Sequence, residues 1–487
     1  MIPFAEWMPD IPAFNNPGAT VAKNVLPAAI GYSPFPTAQV YSDALTAYCR
    51  GAFLAKDKAG AVYVYAGDAT KLKILADAVW TDRTRAADPY VTAAGVNWGF
   101  VKWDETVIAT NFSDEIQVIT LGGANFANLA GSPPQAKHIA VARNFVILGN
   151  INDVGGDGLV PNRVHWSGLN NPETWTSSAT TQADYEDLKG GGGNVQRVFG
   201  GEYAVVFQET TIWRMSYVGT PAIWQFDETA PGTGLLAPGL AAQEGDSIYF
   251  LSPRGFSVIK DGSSVSSIGN SKVDRFVLDD IDTADLSKCS AVVDSKTHRV
   301  YFTYPGSGAI DGLPNRMVVY DYTIQKWSYS EQDIQQLFIA ATTGYTLDGL
   351  DSISTNIDSF TVSFDSSEWT GGRGQIAAFN SSNQMVFYTG TPMTATVETS
   401  EVQLTPQKRT LLTAVRPLVD GGSQTVQSGT RDLQTSSTTW TTARTPTTSG
   451  RANIRDNARY HRFRVNLSGE WTNAQGVEPE GAAAGWR

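Results

Sequence analysis

The first candidates for catalysis or metal binding in this 487-residue chain are its four histidines, His138, His165, His298 and His461. A metal site needs several ligands that converge, and the chain has no HxH, HxxE or CxxC spacing. Each histidine lies in or next to a predicted strand, far from the others. We therefore expect four structural histidines and no metal site.

Cys49 and Cys289 are the only two cysteines, too few for a disulfide scaffold in a chain of this length. We expect both to be free and buried.

Two glycine-rich loops are candidates for ligand binding. KGGGGN (189–194) could surround a phosphate, but no strand–loop–helix pattern and no GK[ST] follow it, so a hinge between β units is the prediction. NDVGGDG (152–158) offers aspartates to calcium but lacks the alternating Asp/Asn pattern and the terminal Glu of a calcium loop, which predicts a solvated loop. The sequence thus predicts no cofactor.

The stretch SGLNNPETW (167–175) resembles the Asp-box of sialidase propellers in its Thr174–Trp175 pair, although Asn and Pro stand where that box has Asp and Gly. The box is an element of the fold and carries no catalysis. A glycosidase also needs two positioned carboxylates. Candidates are plentiful, for example Asp104, Glu105, Glu209 and Asp227, yet their spacing singles out no pair. The prediction is that the chain has no catalytic residues and is not an enzyme.

The same region has an echo about 150 residues further on. LVPNRVHWSGLNNPETWT (159–176) is matched by LPNRMVVYDYTIQKWSY (313–329). The matching positions are Pro161, Asn162, Arg163 and Trp175 in the first copy and Pro314, Asn315, Arg316 and Trp327 in the second. Repetition indicates a structural motif, in which Pro-Asn fixes the start of a strand and the tryptophans pack between units.

Short β-rich runs separated by turn signals recur along the chain. One group shows four runs, at 195–199, 203–208, 211–217 and 223–227, and groups begin near 48, 98, 139, 195, 240, 290, 337 and 376. Four short strands every 40 to 50 residues is typical of propeller blades, and closing the blades into a ring protects their edges. We therefore predict an all-β fold with a β-propeller-like body of six to eight four-stranded units.

Changes in amino-acid composition and strand pattern along the chain predict three regions. Residues 1–45 are predicted to be an extended Pro-rich arm, 46–404 the propeller-like repeat domain, and 405–487 a C-terminal β-sandwich-like module or a sheet completed late. The helical period is strong only in 271–289, which we expect to link two blades.

The formal net charge is −12, which argues against gripping a nucleic acid, because such binding depends on Lys and Arg that neutralise phosphates. The C-terminal region is rich in arginine, and salt bridges across subunits, or contacts with DNA or an acidic partner, are the open interpretations. The first residues do not read as a secretory signal, and no apolar run approaches the roughly 20 residues of a membrane helix. We expect no membrane insertion by this chain.

TIWRMSYVGTPAIWQFDETAPGTGLLAPGLAAQEGDSIYFLSPRGFSVI (211–259), with KVDRF and LPNRMVVYDYTIQKWSYSEQDIQ (313–335), resembles structural proteins of short-tailed, podovirus-like bacteriophages. FNNPGATVAKNVLPAAIGYSPFP and the C-terminal RYHRFRV fit the same family, so the resemblance spans nearly the whole chain. It implies a tail hub or nozzle in the virion tail, a homo-oligomeric ring, typically of six subunits. The expected partners are the head-to-tail adaptor and portal-associated proteins, tail fibres or spikes, and double-stranded DNA passing without specific binding.

Two other functions stay open at this point. One is a receptor-binding or fibre-docking tail propeller, which differs in symmetry because such proteins are usually trimers. The other is a polysaccharide-degrading propeller glycosidase.

Overall fold

The computed structural model describes residues 1–86, 89–342 and 372–485. Its chain starts with five short strands, β1 (Ile2–Pro3), β2 (Ala19–Lys23), β3 (Val25–Pro27), β4 (Tyr32–Pro34) and β5 (Pro36–Ala44). These strands alternate with turns over the first 44 residues because seven prolines interrupt any longer run.

Twenty-seven further strands follow in seven successive units, which we call blades 1 to 7. Blade 1 contains β6 (Gly51–Lys56), β7 (Val62–Gly67), β8 (Leu72–Ala76) and β9 (Val79–Asp82); blade 2 contains β10 (Gly99–Trp103), β11 (Thr106–Thr110), β12 (Gln117–Thr120) and β13 (Ala127–Asn128). Blade 3 contains β14 (Gln135–Ala142), β15 (Phe145–Asp153), β16 (Gly158–Trp166) and β17 (Asp184–Asp187); blade 4 contains β18 (Val195–Phe199), β19 (Ala204–Gln208), β20 (Thr211–Gly219) and β21 (Ile223–Pro231). Blade 5 contains β22 (Ala241–Glu244), β23 (Ser247–Ser252), β24 (Gly255–Lys260) and β25 (Ser264–Ser267); blade 6 contains β26 (Ser290–Asp294), β27 (Arg299–Tyr304), β28 (Arg316–Asp321) and β29 (Lys326–Glu331). Blade 7 contains β30 (Ile334–Ala340), β31 (Gln375–Asn380) and β32 (Gln384–Pro392).

Blade 7 takes its fourth strand from the beginning of the chain. Strand β5 pairs antiparallel with β32, with Val40 opposite Val386. Blade 7 and blades 1 to 5 are thus six separate four-stranded sheets of the described chain, and blade 6 is one end of a larger sheet. Joining the first and last blade in this way leaves no blade of the ring with a missing strand, which answers the hazard of an open edge.

The core lies between the blades. Six of the hydrophobic clusters each join two consecutive blades, and the ring closes through the cluster between blade 7 and blade 1. The largest cluster joins blades 5 and 6 to the N-terminal strands and to the strands that follow blade 7. In that closing cluster the ring of Trp80 lies 5.6 Å from the ring of Phe379. Full burial of one such aromatic side chain stabilises the fold by about 1.5 to 3 kcal/mol. The prediction of an all-β, propeller-like body is confirmed.

The remaining strands complete a 13-stranded sheet that continues from blade 6. They are β33 (Ala395–Thr399), β34 (Thr410–Arg431), β35 (Thr439–Trp440), β36 (Ala452–Ala458) and β37 (Tyr460–Ala483), and the path of the sheet runs β26-β27-β28-β29-β2-β33-β37-β34-β35. Strands β1 and β4 pair with β37, β3 pairs with β4, and β36 pairs with β34. We call β33 to β37 the C-terminal sheet.

The predicted boundaries at residues 45 and 404 fall between strands, one directly after β5 and the other between β33 and β34, but strands on either side of each boundary share sheets. Strand β5, from the predicted arm, is part of blade 7, while β2 lies between blade 6 and β33. Strand β33, which precedes residue 404, pairs antiparallel with β37 and so covers one edge of that strand. The groups predicted to begin near 337 and 376 are one blade, and the part of the first group beyond residue 342 lies outside the described residues.

A short helix links blade 5 to blade 6, which confirms that the segment 271–289 joins two blades. Helix α1 covers Asp274–Asp280, and a 3₁₀ turn follows at Thr283–Lys288. The backbone amides of Arg275 and Phe276 each donate to the carboxylate of Asp10 at 2.8 Å, so the N-terminal segment caps the helix.

Candidate functional site

The two copies of the repeated motif occupy the same place in their blades. Arg163 lies on β16 and Arg316 on β28, the third strand in each case, and each faces an acidic residue of the fourth strand, Asp187 and Glu331. Arg163 donates to both carboxylate oxygens of Asp187, at 2.6 and 3.0 Å. The nearest oxygen of Glu331 lies 3.8 Å from Arg316.

Arg163 also pairs with Asp157 at 2.7 Å, so the loop 152–158 holds an ion pair. The hydrogen bond from Arg163 holds the pKa of the Asp187 carboxyl below its usual range. Arg316 donates to Asp280 at 3.3 Å, which ties the third strand of blade 6 to the linking helix.

The asparagines of the motif anchor neighbouring chain segments. Asn162 donates its side-chain amide to the carbonyl of Leu188 at 2.9 Å, and Asn315 accepts from the backbone amide of Gly306 at the same distance. Pro161 lies within β16, whereas the carbonyl of Pro314, just before β28, accepts from Ile334 at 2.9 Å. Both copies hold neighbouring segments of the chain in place, and the second copy also contacts the first strand of blade 7.

The two tryptophans of the motif lie between blades but are not equivalent. Trp175 lies in the loop after β16 and packs with side chains of blades 2 and 3. Trp327 lies on β29, and its ring centroid is 4.7 Å from that of Phe256 in blade 5.

The four histidines are dispersed, and each has a structural environment. His165 contacts the carbonyl of Trp175 at 3.1 Å, His298 the hydroxyl of Tyr322 at 3.0 Å, and His461 the carbonyl of Ala458 at 3.1 Å. Burial lowers the pKa of His138 well below its usual value. Across residues 1–86, 89–342 and 372–485, no three His, Cys, Asp or Glu side chains are grouped so as to hold a metal ion.

Both cysteines are free and buried, as predicted. Burial raises the pKa of the Cys49 thiol to about 12 and raises that of the Cys289 thiol further, so neither is a thiolate at neutral pH.

The carboxylates considered for glycoside hydrolysis are divided between two blades, Asp104 and Glu105 in blade 2 and Glu209 and Asp227 in blade 4. Asp104 and Glu105 lie in the turn between β10 and β11, and Asp104 pairs with Lys58 at 2.6 Å. Glu209 lies in the turn between β19 and β20, and Asp227 is on β21, where it accepts from Gln225 at 2.7 Å.

The C-terminal sheet is the element that a propeller does not itself require. Its strands β34 and β37 contain 22 and 24 residues and pair from Thr410–Ala483 to Arg431–Tyr460. Ordinary strands have 3 to 10 residues. At about 3.3 Å per residue these two span on the order of 70 Å. Near their middle the ladder is bulged, and Gly422 has φ +65° where a Cβ would lie 2.7 Å from the carbonyl oxygen of Ser468.

Two buried carboxylates organise the arginines of this sheet. Glu401, 1% exposed in its side chain, accepts from Arg431 at 2.6 and 2.8 Å, and Glu398, 4% exposed, accepts from Arg462 at 2.8 Å and also pairs with Arg464. These ion pairs lie within one chain, so Arg431, Arg462 and Arg464 have carboxylate partners in their own chain. These pairs could not be predicted from the sequence, because Glu398 and Glu401 lie before the predicted boundary at residue 404.

Charge divides unevenly between the two parts of the chain. Residues 405–487 contain 11 Lys and Arg against 6 Asp and Glu, a net of +5, which leaves −17 for residues 1–404 out of the total of −12. The acidic character predicted for the whole chain therefore belongs to residues 1–404.

Two polar depressions are found on the described surface. A groove of about 440 Å³ lies over the C-terminal sheet, between Lys23, Thr396, Thr425 and Asn466. A smaller cavity of about 170 Å³ lies between blades 5 and 6 and is lined by Tyr249, Tyr320 and Tyr322 together with polar side chains.

Comparisons with known proteins give fold likeness only. No protein-family model and no curated protein matches the chain. Similar solved structures include the Pan2 WD40 domain of Neurospora crassa (6% identity, TM-score 0.38, 70% of this chain and 88% of that one) and BamB from Moraxella catarrhalis (9%, 0.36, 75% and 92%). The structure of BBS1N in complex with ARL6DN is a third (8%, 0.42, 76% and 98%). The propeller assignment rests on the strand pairing itself.

None of the helices within the described ranges has the length and apolarity needed to cross a membrane.

Proposed function

We propose that this chain is a virion structural protein of a short-tailed bacteriophage that forms the tail hub or nozzle below the head-to-tail adaptor and conducts DNA during genome ejection. The observation that supports this most is the C-terminal sheet, which extends a complete propeller with two strands of 22 and 24 residues. An element of this length joined rigidly to a closed ring is suited to lining up with copies of itself in a tube wall.

The pairing of strands from the two ends of the chain supports a role in which the protein bears mechanical force. Strand β2 connects β29 of blade 6 to β33, and β1 pairs with β37. Force applied to the C-terminal sheet is thereby transmitted through continuous hydrogen bonding into the propeller, with no flexible linker between the two.

The charge of the propeller fits passage of DNA without binding. A basic bore attracts each phosphate that passes and releases its counterions, whereas an acidic bore leaves DNA its counterions. The −17 on residues 1–404, which include the blades, makes this the acidic part of the chain. The arginines that pair with Glu398 and Glu401 have their charge largely compensated.

The experiment is to measure the mass of the native oligomer of the purified full chain, together with two matched variants. Leu433→Asp alters an exposed side chain in the loop that joins β34 and β35 of the C-terminal sheet (59% exposed), and Leu159→Asp alters one on β16 of blade 3 (63% exposed). We expect a hexamer for the wild type and for Leu159→Asp, and loss of the hexamer for Leu433→Asp.

A trimer would contradict the proposal and favour a receptor-binding or fibre-docking protein. Turnover of capsule or lipopolysaccharide that disappears when a carboxylate pair is changed would instead favour a glycosidase. A hexamer lost only in Leu159→Asp would place the subunit contacts on the propeller and contradict the role given to the C-terminal sheet.

A further inference from the structure

The cavity of about 170 Å³ between blades 5 and 6 is built on three tyrosines from different strands. Tyr249 lies on β23, Tyr320 on β28 and Tyr322 just after β28. The rings of Tyr249 and Tyr322 stack, with centroids 5.5 Å apart and planes at 21°. Binding sites for drug-sized molecules occupy about 300 to 1,000 Å³, so this cavity suits a single ring-sized group.

Two of the three phenol groups have no partner in the described chain. Tyr249 is 7% exposed and Tyr320 4% exposed, and neither hydroxyl makes a hydrogen bond within the described ranges, although neither oxygen is sealed from solvent. The hydroxyls therefore open into the cavity that both residues line. The hydroxyl of Tyr322, in contrast, is 3.0 Å from Nδ1 of His298.

Both unpartnered phenols are hydrogen-bond donors over the whole neutral range. Burial, reinforced by Tyr322, raises the pKa of Tyr249 to about 12, and burial, reinforced by Tyr249, does the same for Tyr320. A neutral phenol donates strongly to an anionic oxygen.

One positive charge at the cavity is uncompensated. Lys260 lines it and has no ion pair in the described residues, whereas Lys272, the other lining lysine, pairs with Glu6 at 2.8 Å. Asp321, the carboxylate next to Tyr320 in the chain, is paired with Arg299 at 3.5 Å. Among the residues that line the cavity, the charge without an ion pair is therefore that of Lys260.

We propose that this cavity binds one saccharide unit that carries a carboxylate or a phosphate. The hydroxyls of Tyr249 and Tyr320 donate to its anionic oxygens and Lys260 supplies the opposite charge. Ser266, Ser267, Asn270 and Gln325 offer polar partners to the sugar hydroxyls. This site does not depend on the proposed tail function.

The test is calorimetric titration of the full-length protein with four probes: glucuronate, glucose 6-phosphate, inorganic phosphate and glucose. We expect glucuronate or glucose 6-phosphate to bind, and glucose to bind at least tenfold more weakly. The double variant Tyr249→Phe/Tyr320→Phe removes two donors to an anion and should weaken binding by about tenfold or more. Because these hydroxyls have no protein partner, the variant should keep the wild-type melting temperature.

Two control variants and one further variant of the cavity test whether binding depends on the proposed groups. Tyr322→Phe changes a phenol already engaged by His298 and should leave the affinity nearly unchanged. Lys260→Met should weaken binding, and the affinity of this variant should no longer depend on salt concentration. Lys189→Met changes an exposed lysine between blades 3 and 4 and should alter neither the affinity nor its salt dependence.

The proposal is overturned if no anionic sugar binds at millimolar concentration, or if the double variant binds as tightly as the wild type. Inorganic phosphate that binds as tightly as glucose 6-phosphate would remove the sugar from the proposal. Binding of glucuronate alone identifies a carboxylate ligand, and binding of glucose 6-phosphate alone a phosphate ligand.

Discussion

Glu401 is expected to hold the N-terminal segment and the C-terminal sheet together, and changing it is the sharpest test of how that sheet is stabilised. Its carboxylate, 1% exposed, receives Arg431 at 2.6 and 2.8 Å and the side chain of Gln434 at 3.0 Å. Its backbone amide donates to the carbonyl of Ala13 at 2.8 Å. The perturbation is Glu401→Gln, which keeps the shape and removes the charge.

The expected loss in the free energy of unfolding follows from the burial of both Glu401 and Arg431. Breaking a buried ion pair by removing one charge typically costs about 3 to 5 kcal/mol, because the other charge stays buried and unpaired. Arg431 keeps 16% of its side chain exposed and also donates to the carbonyl of Gln434 at 2.7 Å, so the low end, about 3 kcal/mol, is expected.

The assay is native-state hydrogen exchange of β34 and β37, which reports the local opening free energy of the sheet. Glu470→Gln is the matched control, because Glu470 is exposed on β37 without an ion pair in the described chain, and a change within 0.5 kcal/mol is typical there. The double variant Glu401→Gln/Arg431→Met removes the stranded charge and should recover part of the loss. If Glu401→Gln exchanges like Glu470→Gln, the reasoning about this pair is refuted.

Four further variants are followed by denaturant unfolding. Asn162→Ala and Asn315→Ala each remove one well-formed side-chain hydrogen bond and should lower stability similarly, by about 1 kcal/mol, so clearly unequal losses would contradict their equivalent roles. Asp187→Asn should lower stability by less than about 1 kcal/mol at neutral pH, and the difference should fade as the pH drops through the depressed pKa that Arg163 gives the carboxyl; a difference independent of pH would contradict the ion pair. His138 stays neutral when buried but takes up a proton on unfolding, so stability should decline as the pH falls below about 6.5, and His138→Gln should flatten that decline; an unchanged slope would contradict this.

The blades could be predicted from the sequence because their signals are local. The runs predicted at 195–199, 203–208, 211–217 and 223–227 correspond to Val195–Phe199, Ala204–Gln208, Thr211–Gly219 and Ile223–Pro231. Alternating side chains and hairpin turns specify each strand within a few residues of sequence.

The closure of the ring could not be predicted, because it depends on pairing across the whole chain. Residues 36–44 form an outer strand with mostly exposed side chains, so the segment has no apolar alternation that would mark it as a strand. Its partner is more than 300 residues away, with Val40 opposite Val386. The prolines of residues 1–45 instead favoured an arm.

The candidate sites depend on contacts of the same long-range kind. Tyr249 and Tyr320 come from different blades, and neither stands out among 18 tyrosines. The partners of Arg431 and Arg462 lie in the segment just before the predicted boundary, so only the folded sheet assigns them. The repeated PNR stretch, in contrast, did indicate a motif shared by two units, and in the structure both copies include residues of the third strand of a blade.

The central claim is that copies of this chain enclose a hole through which DNA passes, and an electron cryo-microscopy map of the native assembly tests it most directly. The account predicts six copies around a central hole, C-terminal sheets in contact with one another, and a bore in which Asp and Glu outnumber Lys and Arg. A trimer, an assembly without a hole, or a bore dominated by Lys and Arg would contradict it.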